Sequence, residues 1–324
     1  MRPFGWILVV LAGLTALVAL GRRPAVVGPD PHAIDAIVPR DPADLDAWLA
    51  AREHAAGDVI DGTASHIRWH GQPGTRTPLT LVSLHGFSAS PRELHPVLEQ
   101  VADDLGANLV HVRLNGHGLQ GGDMAEVSAD AWLADAELGY QVGRRTGDRI
   151  VVVGTSTGAA LALWLARRHQ RDDALAGVTL TSPNLKVDNP LAELLLWPWG
   201  SRILSLAIPS RCGEHETDAQ RHYWTVCYQT HGVVAMMDLL AAVRSLPPEE
   251  VDVPLRTIVN PDDGVIDAEY AMSWLDRAPD SEVTVWEVAP GDNGHVLAGD
   301  LKSPGGTERM RQMLRERIAG FLDD

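Results

Sequence analysis

Lysine is almost absent from this chain. Lys186 and Lys302 are the two in 324 residues, and 27 basic residues face 43 acidic ones, for a formal net charge of −16. Such a surface repels phosphate backbones and excludes nucleic acid as a natural partner. Cysteine is equally sparse, with Cys212 and Cys227 in one segment. Their spacing with His215 and His222 matches no common zinc pattern, so no metal and no organic cofactor is expected. In an exported protein the two cysteines would pair, which for a loop of this length stabilises by roughly 3 kcal/mol; in the cytosol they would stay thiols. Internal repeats and low-complexity tracts are missing. Long apolar runs are missing too, with one exception: Phe4 to Leu20, uncharged and preceded by Arg2.

That run is a targeting or anchoring segment, too apolar to sit exposed in water. At 17 residues it falls between a signal-peptide core and a full membrane span, which needs roughly 17 to 25 residues. Ala19 and Gly21 suit cleavage after Gly21, while Arg22 and Arg23 disfavour export of a cleaved product. The reading leans to an exported, periplasmic protein, with an uncleaved anchor and membrane association through residues 4–20 as the alternative. No cysteine follows the run, so a bacterial lipid anchor is not indicated.

The remainder is long enough for one large domain with an insertion. Residues 1–27 form the terminal segment, and the Pro/Asp-rich residues 28–43 read as a linker. Strands are expected at Ser65 to His70, Leu79 to Leu84, Asn108 to Leu114, Arg149 to Val153, Gly177 to Thr181, Leu255 to Val259 and Glu282 to Val288. Helices alternate with them at Asp44 to Ala55, Pro91 to Leu105, Ser128 to Arg145, Ala159 to His169 and Ala268 to Asp276. A terminal helix carries Met310, Met313, Leu314, Ile318 and Phe321 on one face. The alternation specifies an α/β architecture, a mostly parallel sheet flanked by helices. It stops between 183 and 250, where Pro190, Pro198, Pro209, Pro247 and Pro248 break up Leu- and Trp-rich pieces. This segment is expected to form a helical cap on a core made of 44–182 and 251–324.

Val151-Val152-Val153-Gly154-Thr155-Ser156-Thr157-Gly158-Ala159-Ala160 carries the clearest chemical signal. An apolar strand breaks into Gly-x-Ser-x-Gly and then into helix formers, a sharp turn that would hold Ser156 as an exposed nucleophile. A serine hydroxyl is weak at neutral pH; it needs a histidine to take its proton and an acid to orient that histidine. The strand ending at Val259 runs into Asn260-Pro261-Asp262-Asp263-Gly264-Val265-Ile266-Asp267, and the next strand leads to Gly291-Asp292-Asn293-Gly294-His295. Asp263 has the best spacing for the acid, with Asp262 and Asp267 as alternatives, and His295 is the expected base. Strand Leu79 to Leu84 ends in His85-Gly86-Phe87-Ser88. The amides of Phe87 and Thr157 are the expected oxyanion donors, each worth roughly 3 kcal/mol. His85 and His117 read as structural, and Asp292 as solvating its loop.

This ordered set resembles the serine carboxylesterases and monoacylglycerol lipases of the α/β-hydrolase superfamily. The resemblance rests on Leu84-His85-Gly86-Phe87, Arg113-Leu114-Asn115-Gly116-His117-Gly118, the Ser156 turn, the Asp263-Gly264-Val265-Ile266 loop and Gly294-His295, and covers roughly residues 66 to 322. Thr157 departs from the usual methionine or glutamine and Asn115 from a common proline, and neither removes a reacting group. The resemblance implies a carboxylic ester hydrolase of lipid or other small-molecule esters. Other acyl substrates (thioesters, lactones, polyesters, N-terminal peptides) and a silent, membrane-tethered binding protein are the alternatives. Trp197, Trp199, Met236 and Met237 are the candidate acyl-binding residues of the cap.

Overall fold

In a computed structural model, the structure describes residues 25–322 together with Gly13, Thr15 and Gly21. The apolar run Phe4 to Leu20 otherwise lies outside the described residues. Among the described residues no helix is long and apolar enough to cross a membrane.

Seven strands form one sheet: β1 (His66–Arg68), β2 (Thr77–Leu84), β3 (Asn108–Val112), β4 (Gly147–Thr155), β5 (Leu175–Thr181), β8 (Leu255–Val259) and β9 (Ser281–Val285), in spatial order β1-β3-β2-β4-β5-β8-β9. β1 is antiparallel to β3 and every other pairing is parallel. Parallel strands covered on both faces must be apolar on both. In β4, Ile150 and Val152 enter one apolar layer while Val151 and Val153 enter the other. The first layer holds α4 (Ala129–Thr146) and α5 (Thr157–His169). The second holds α3 (Val97–Leu105) and the terminal α10 (Thr307–Gly320), whose Met310, Leu314 and Ile318 are fully buried. Ser128 caps α4 by accepting from the Ala131 amide at 3.1 Å.

The expected linker is largely ordered structure. Asp30 caps α1 (Pro31–Ile37), and Asp35 pairs with Arg145 on α4 at 2.5 Å. Proline at the first helical position behind an aspartate cap is a sound helix start, which the Pro/Asp-rich composition hid. α2 (Leu45–Ala56) follows.

Between β5 and β8 come a 3₁₀ turn (Pro190–Leu196), α6 (Gly200–Ala207), the strand pair β6 (Ser210–Cys212) and β7 (Cys227–Gln229), α7 (Asp218–Tyr223) and α8 (Thr230–Arg244). Cys212 and Cys227 face each other across β6 and β7 and form a disulfide. α8 is more than cover: Val234, Met237, Leu239, Leu240 and Val243 are buried in the layer shared with α4 and α5. α8 thus serves both the helical layer and the cavity over Ser156, which its Thr230, Val233 and Met236 line. Downstream, α9 (Ala268–Leu275) links β8 to β9.

Candidate active site

The turn between β4 and α5 is built by close approach. A Cβ on Gly154 would lie 2.5 Å from the carbonyl oxygen of Gly158, and one on Gly158 would lie 2.0 Å from that of Leu84. Only glycine fits at either position. Between them Ser156 is held at φ 53°, ψ −115°, a strained conformation for a residue with a side chain. Its amide donates to Thr181 O at 2.9 Å and its carbonyl accepts from Asn184 N at 3.1 Å.

Ser156 Oγ lies 2.9 Å from His295 Nε2, and His295 Nδ1 lies 2.7 Å from Asp263 Oδ2. Asp263 Oδ1 accepts from the amides of Val265 at 2.8 Å and Ile266 at 3.3 Å, which fixes the carboxylate's orientation. The acid alternatives separate here. Asp262 points to solvent, and Asp267 caps α9 through Tyr270 N at 2.9 Å while pairing with Lys186 at 2.7 Å. The histidine loop is pinned at several points: Asn293 Oδ1 accepts from the amides of His295 and Val296, Asn260 Nδ2 donates to Gly294 O, and Ser182 Oγ donates to His295 O. Asp292 accepts from Gly305 N at 3.1 Å and so ties down its own loop.

Phe87 lines the cavity with Ser156 and His295, and Thr157 directly follows the nucleophile. Thr157 opens α5, where the first amides have no intrahelical acceptor. Among the described residues no protein group accepts from the amide of Phe87. The loop carrying Phe87 is held by three buried side chains. His85 Nδ1 donates to Gly86 O and its Nε2 accepts from Leu114 N; His117 Nε2 accepts from Ser88 N while its Nδ1 donates to Asn115 O. Burial keeps both rings neutral, pushing His85 well below its ordinary value and His117 down to about 4. The third is Glu93, whose Oε2 accepts from Gly86 N at 2.7 Å. Burial drives this carboxyl up to about 7, against the opposing pull of the Gly86 hydrogen bond and of His295. No motif marks Glu93 in the sequence. It is a single carboxylate in a loop, and its role depends on packing alone.

A cavity of about 480 Å³ opens over Ser156 and His295. Leu191, Leu194, Leu195, Leu204, Ile208 and Met236 line it, and so do Arg211, His215 and Lys302. Of the acyl-binding candidates, Met236 lines this cavity. The other three do not. Trp197 is 64% exposed, Trp199 packs near Arg202 with its ring 5.7 Å from the guanidinium, and Met237 is wholly buried in the helical layer. Around the 3₁₀ turn and α6, Leu194, Leu195 and Leu204 line the cavity while Trp197 and Leu206 are exposed, a choice of face that hydrophobicity alone does not make.

A family model described as serine aminopeptidase, S33, matches residues 76–287. The chain belongs to that family. A thermostable monoacylglycerol lipase from Bacillus sp. (strain H-257) is 34% identical over 92 residues, 28% of this chain and 36% of the lipase, so the match takes in about a third of that relative's length. Among solved structures, one of the metagenome-derived lipolytic enzymes LipS and LipT superposes with a TM-score of 0.65 at 19% identity, covering 82% of this chain and all of that one. A soluble variant of monoglyceride lipase from Saccharomyces cerevisiae gives 0.57 at 14% identity, covering 82% and 94%. The fold of this family member is that of the α/β hydrolases.

Proposed function

We propose that the protein is a serine hydrolase of carboxylic esters with an apolar acyl group, acting through an acyl-enzyme. The observation that carries the reading is the unbroken relay from Asp263 through His295 to Ser156, at 2.7 and 2.9 Å. His295 Nε2 takes the hydroxyl proton as Ser156 Oγ bonds to the ester carbon. The resulting oxyanion is held by the Phe87 and Thr157 amides, and His295 then gives the proton to the departing alcohol as the C–O bond breaks. Water repeats the sequence on the acyl-enzyme and releases the acid. Asp263 stays ionised, fixing the tautomer and stabilising the transient imidazolium.

The leucine-lined part of the cavity supports an apolar acyl group, since each buried methylene contributes about 0.8 kcal/mol. The family description suggests a second reading, cleavage of N-terminal peptides. That substrate brings an ammonium group, and the carboxylate lining this cavity, Glu93, is already engaged by Gly86 N. The three basic side chains in the cavity also disfavour a cation. The test is a series of p-nitrophenyl esters from acetate to dodecanoate beside aminoacyl p-nitroanilides, with fluorophosphonate labelling of wild type and Ser156→Ala. Ester turnover that grows with chain length and labelling confined to wild type are expected. An unreactive wild type would favour a binding protein, and anilide turnover exceeding ester turnover would favour the peptidase.

The apolar N-terminal run leads us to propose further that the folded part is exported or held at a membrane by residues 4–20. Fractionation of cells producing the full chain tests this, and a soluble cytoplasmic protein with an intact N-terminus would refute it.

A further inference from the structure

One of the two lysines of this acidic chain lines the cavity over the nucleophile, together with Arg211 and His215. Neither Lys302 nor Arg211 forms an ion pair among the described residues. Lys302 Nζ donates to Gln220 Oε1 at 3.3 Å and stands 5.6 Å from the Trp224 ring centroid, which leaves two of its three N–H donors without an acceptor. Its position is fixed by its neighbour, because Gln220 Nε2 also donates to Leu301 O at 2.6 Å. His215 Nδ1 is buried with no hydrogen-bond partner.

Two carboxylates bear on this group. Glu216 acts on Lys302 from an exposed position, and Glu93 lies in the cavity wall, raised to about 7 by burial and engaged by Gly86 N. Lys302 and Arg211 thus line the cavity without an ion pair, and His215, which burial and the nearby Lys302 and Arg221 hold below its ordinary value, adds a ring with an unsatisfied Nδ1. The net charge of −16 disfavours anions over the protein as a whole, so an anion that enters here must be held locally, by charge-assisted hydrogen bonds from Lys302 and Arg211.

The direction of the reaction says which half of the substrate would carry the charge. The leaving alcohol takes its proton from His295 Nε2, so it departs on the side of the segment that bears His295. Val296 and Lys302 of that same segment line the cavity. The leucines of the 3₁₀ turn and α6 line the same cavity.

We propose that the site takes esters whose alcohol bears a negative charge, a phosphate or a carboxylate, received by Lys302, Arg211 and His215 while the acyl chain lies against the leucines. This deepens the esterase reading and rests on it. The measurement is kcat/KM for three octanoyl esters differing only in the alcohol: glycerol, glyceric acid and glycerol phosphate. At least tenfold preference for a charged ester over the neutral one is expected, expressed chiefly in KM. The favoured charged ester tells phosphate from carboxylate. In the Lys302→Met, Arg211→Gln double variant the ratio of charged to neutral should fall towards one, and Lys302→Glu should invert it. The ratio is internal to each protein, so a loss of folded material does not imitate the result. Wild type that prefers the neutral ester, or a preference that survives the double variant, overturns the proposal. If no ester is turned over, the esterase reading fails separately, and calorimetry decides: octyl phosphate should bind Ser156→Ala at least tenfold more tightly than octyl glyceryl ether, and equal binding refutes the anion site.

Discussion

Replacing Glu93 by glutamine gives a pH-dependent change in stability that the geometry fixes in sign. The carboxyl is buried, and the folded protein raises it from 4.5 to about 7. Below pH 4.5 folded and unfolded chains both hold the proton, so the group contributes no pH dependence. Between these values the native state binds more protons than the unfolded chain, and stability falls as pH rises. Above about 8 the loss is complete. A shift of roughly 2.5 units at 1.36 kcal/mol per unit amounts to about 3 kcal/mol. Glu93→Gln keeps an oxygen to accept from Gly86 N and has nothing to titrate. Wild type should therefore lose about 3 kcal/mol relative to the variant between pH 4.5 and 8. Urea unfolding followed by tryptophan fluorescence at half-unit pH steps measures this, and titrating groups not coupled to Glu93 cancel in the difference. A difference that stays constant across the range would refute the account of Glu93 as a buried acid. The same substitution should raise ester turnover above pH 7, where the ionised carboxylate stands beside the developing oxyanion.

Three further outcomes are expected. Asp263→Asn should retain the fold and reduce kcat roughly 10⁴-fold, because the amide stabilises the wrong imidazole tautomer; steady-state kinetics with far-ultraviolet circular dichroism checks both halves. Gly158→Ala should destabilise by about 3 kcal/mol or more, since the added methyl lies 2.0 Å from a backbone oxygen that cannot move without disturbing β2; chemical denaturation reads this directly. Leu204→Trp should shorten the longest acyl chain accepted, at about 0.8 kcal/mol of transition-state binding per methylene excluded, and an unchanged chain-length profile would remove Leu204 from the acyl wall.

The strands, and the loops at their carboxyl ends, are the part of this molecule that its amino-acid order reveals. Ser156, Asp263 and His295 each sit beyond the carboxyl end of a strand in a parallel sheet, and parallel pairing brings those ends to one edge. The strand runs were legible because both faces of the sheet are covered, leaving continuous apolar stretches. Spacing already favours Asp263 over Asp262 and Asp267, and the fold adds the reason: Asp263 turns inward to His295 while Asp262 is exposed and Asp267 caps α9. The tryptophans of the insertion misled for a related reason: a 3₁₀ turn and a two-turn helix are too short for periodicity to say which face looks inward. α3 begins at Val97, not near Pro91, because Pro91 and Pro96 interrupt the turns before it. Arg211, His215, Lys302 and Glu93 share a cavity with no sequence pattern linking them, and only the fold assembles them.

The backbone at position 156 has a consequence for how this protein can change. A side chain there at φ 53° costs of the order of 1 to 3 kcal/mol that glycine would not. Ser156→Gly should therefore give a protein that is inert yet melts at a higher temperature than its parent. Any lineage or directed-evolution campaign screened for durability alone is drawn towards losing its chemistry first at this residue, and retention of the serine under such screening is a sign that turnover itself is being selected.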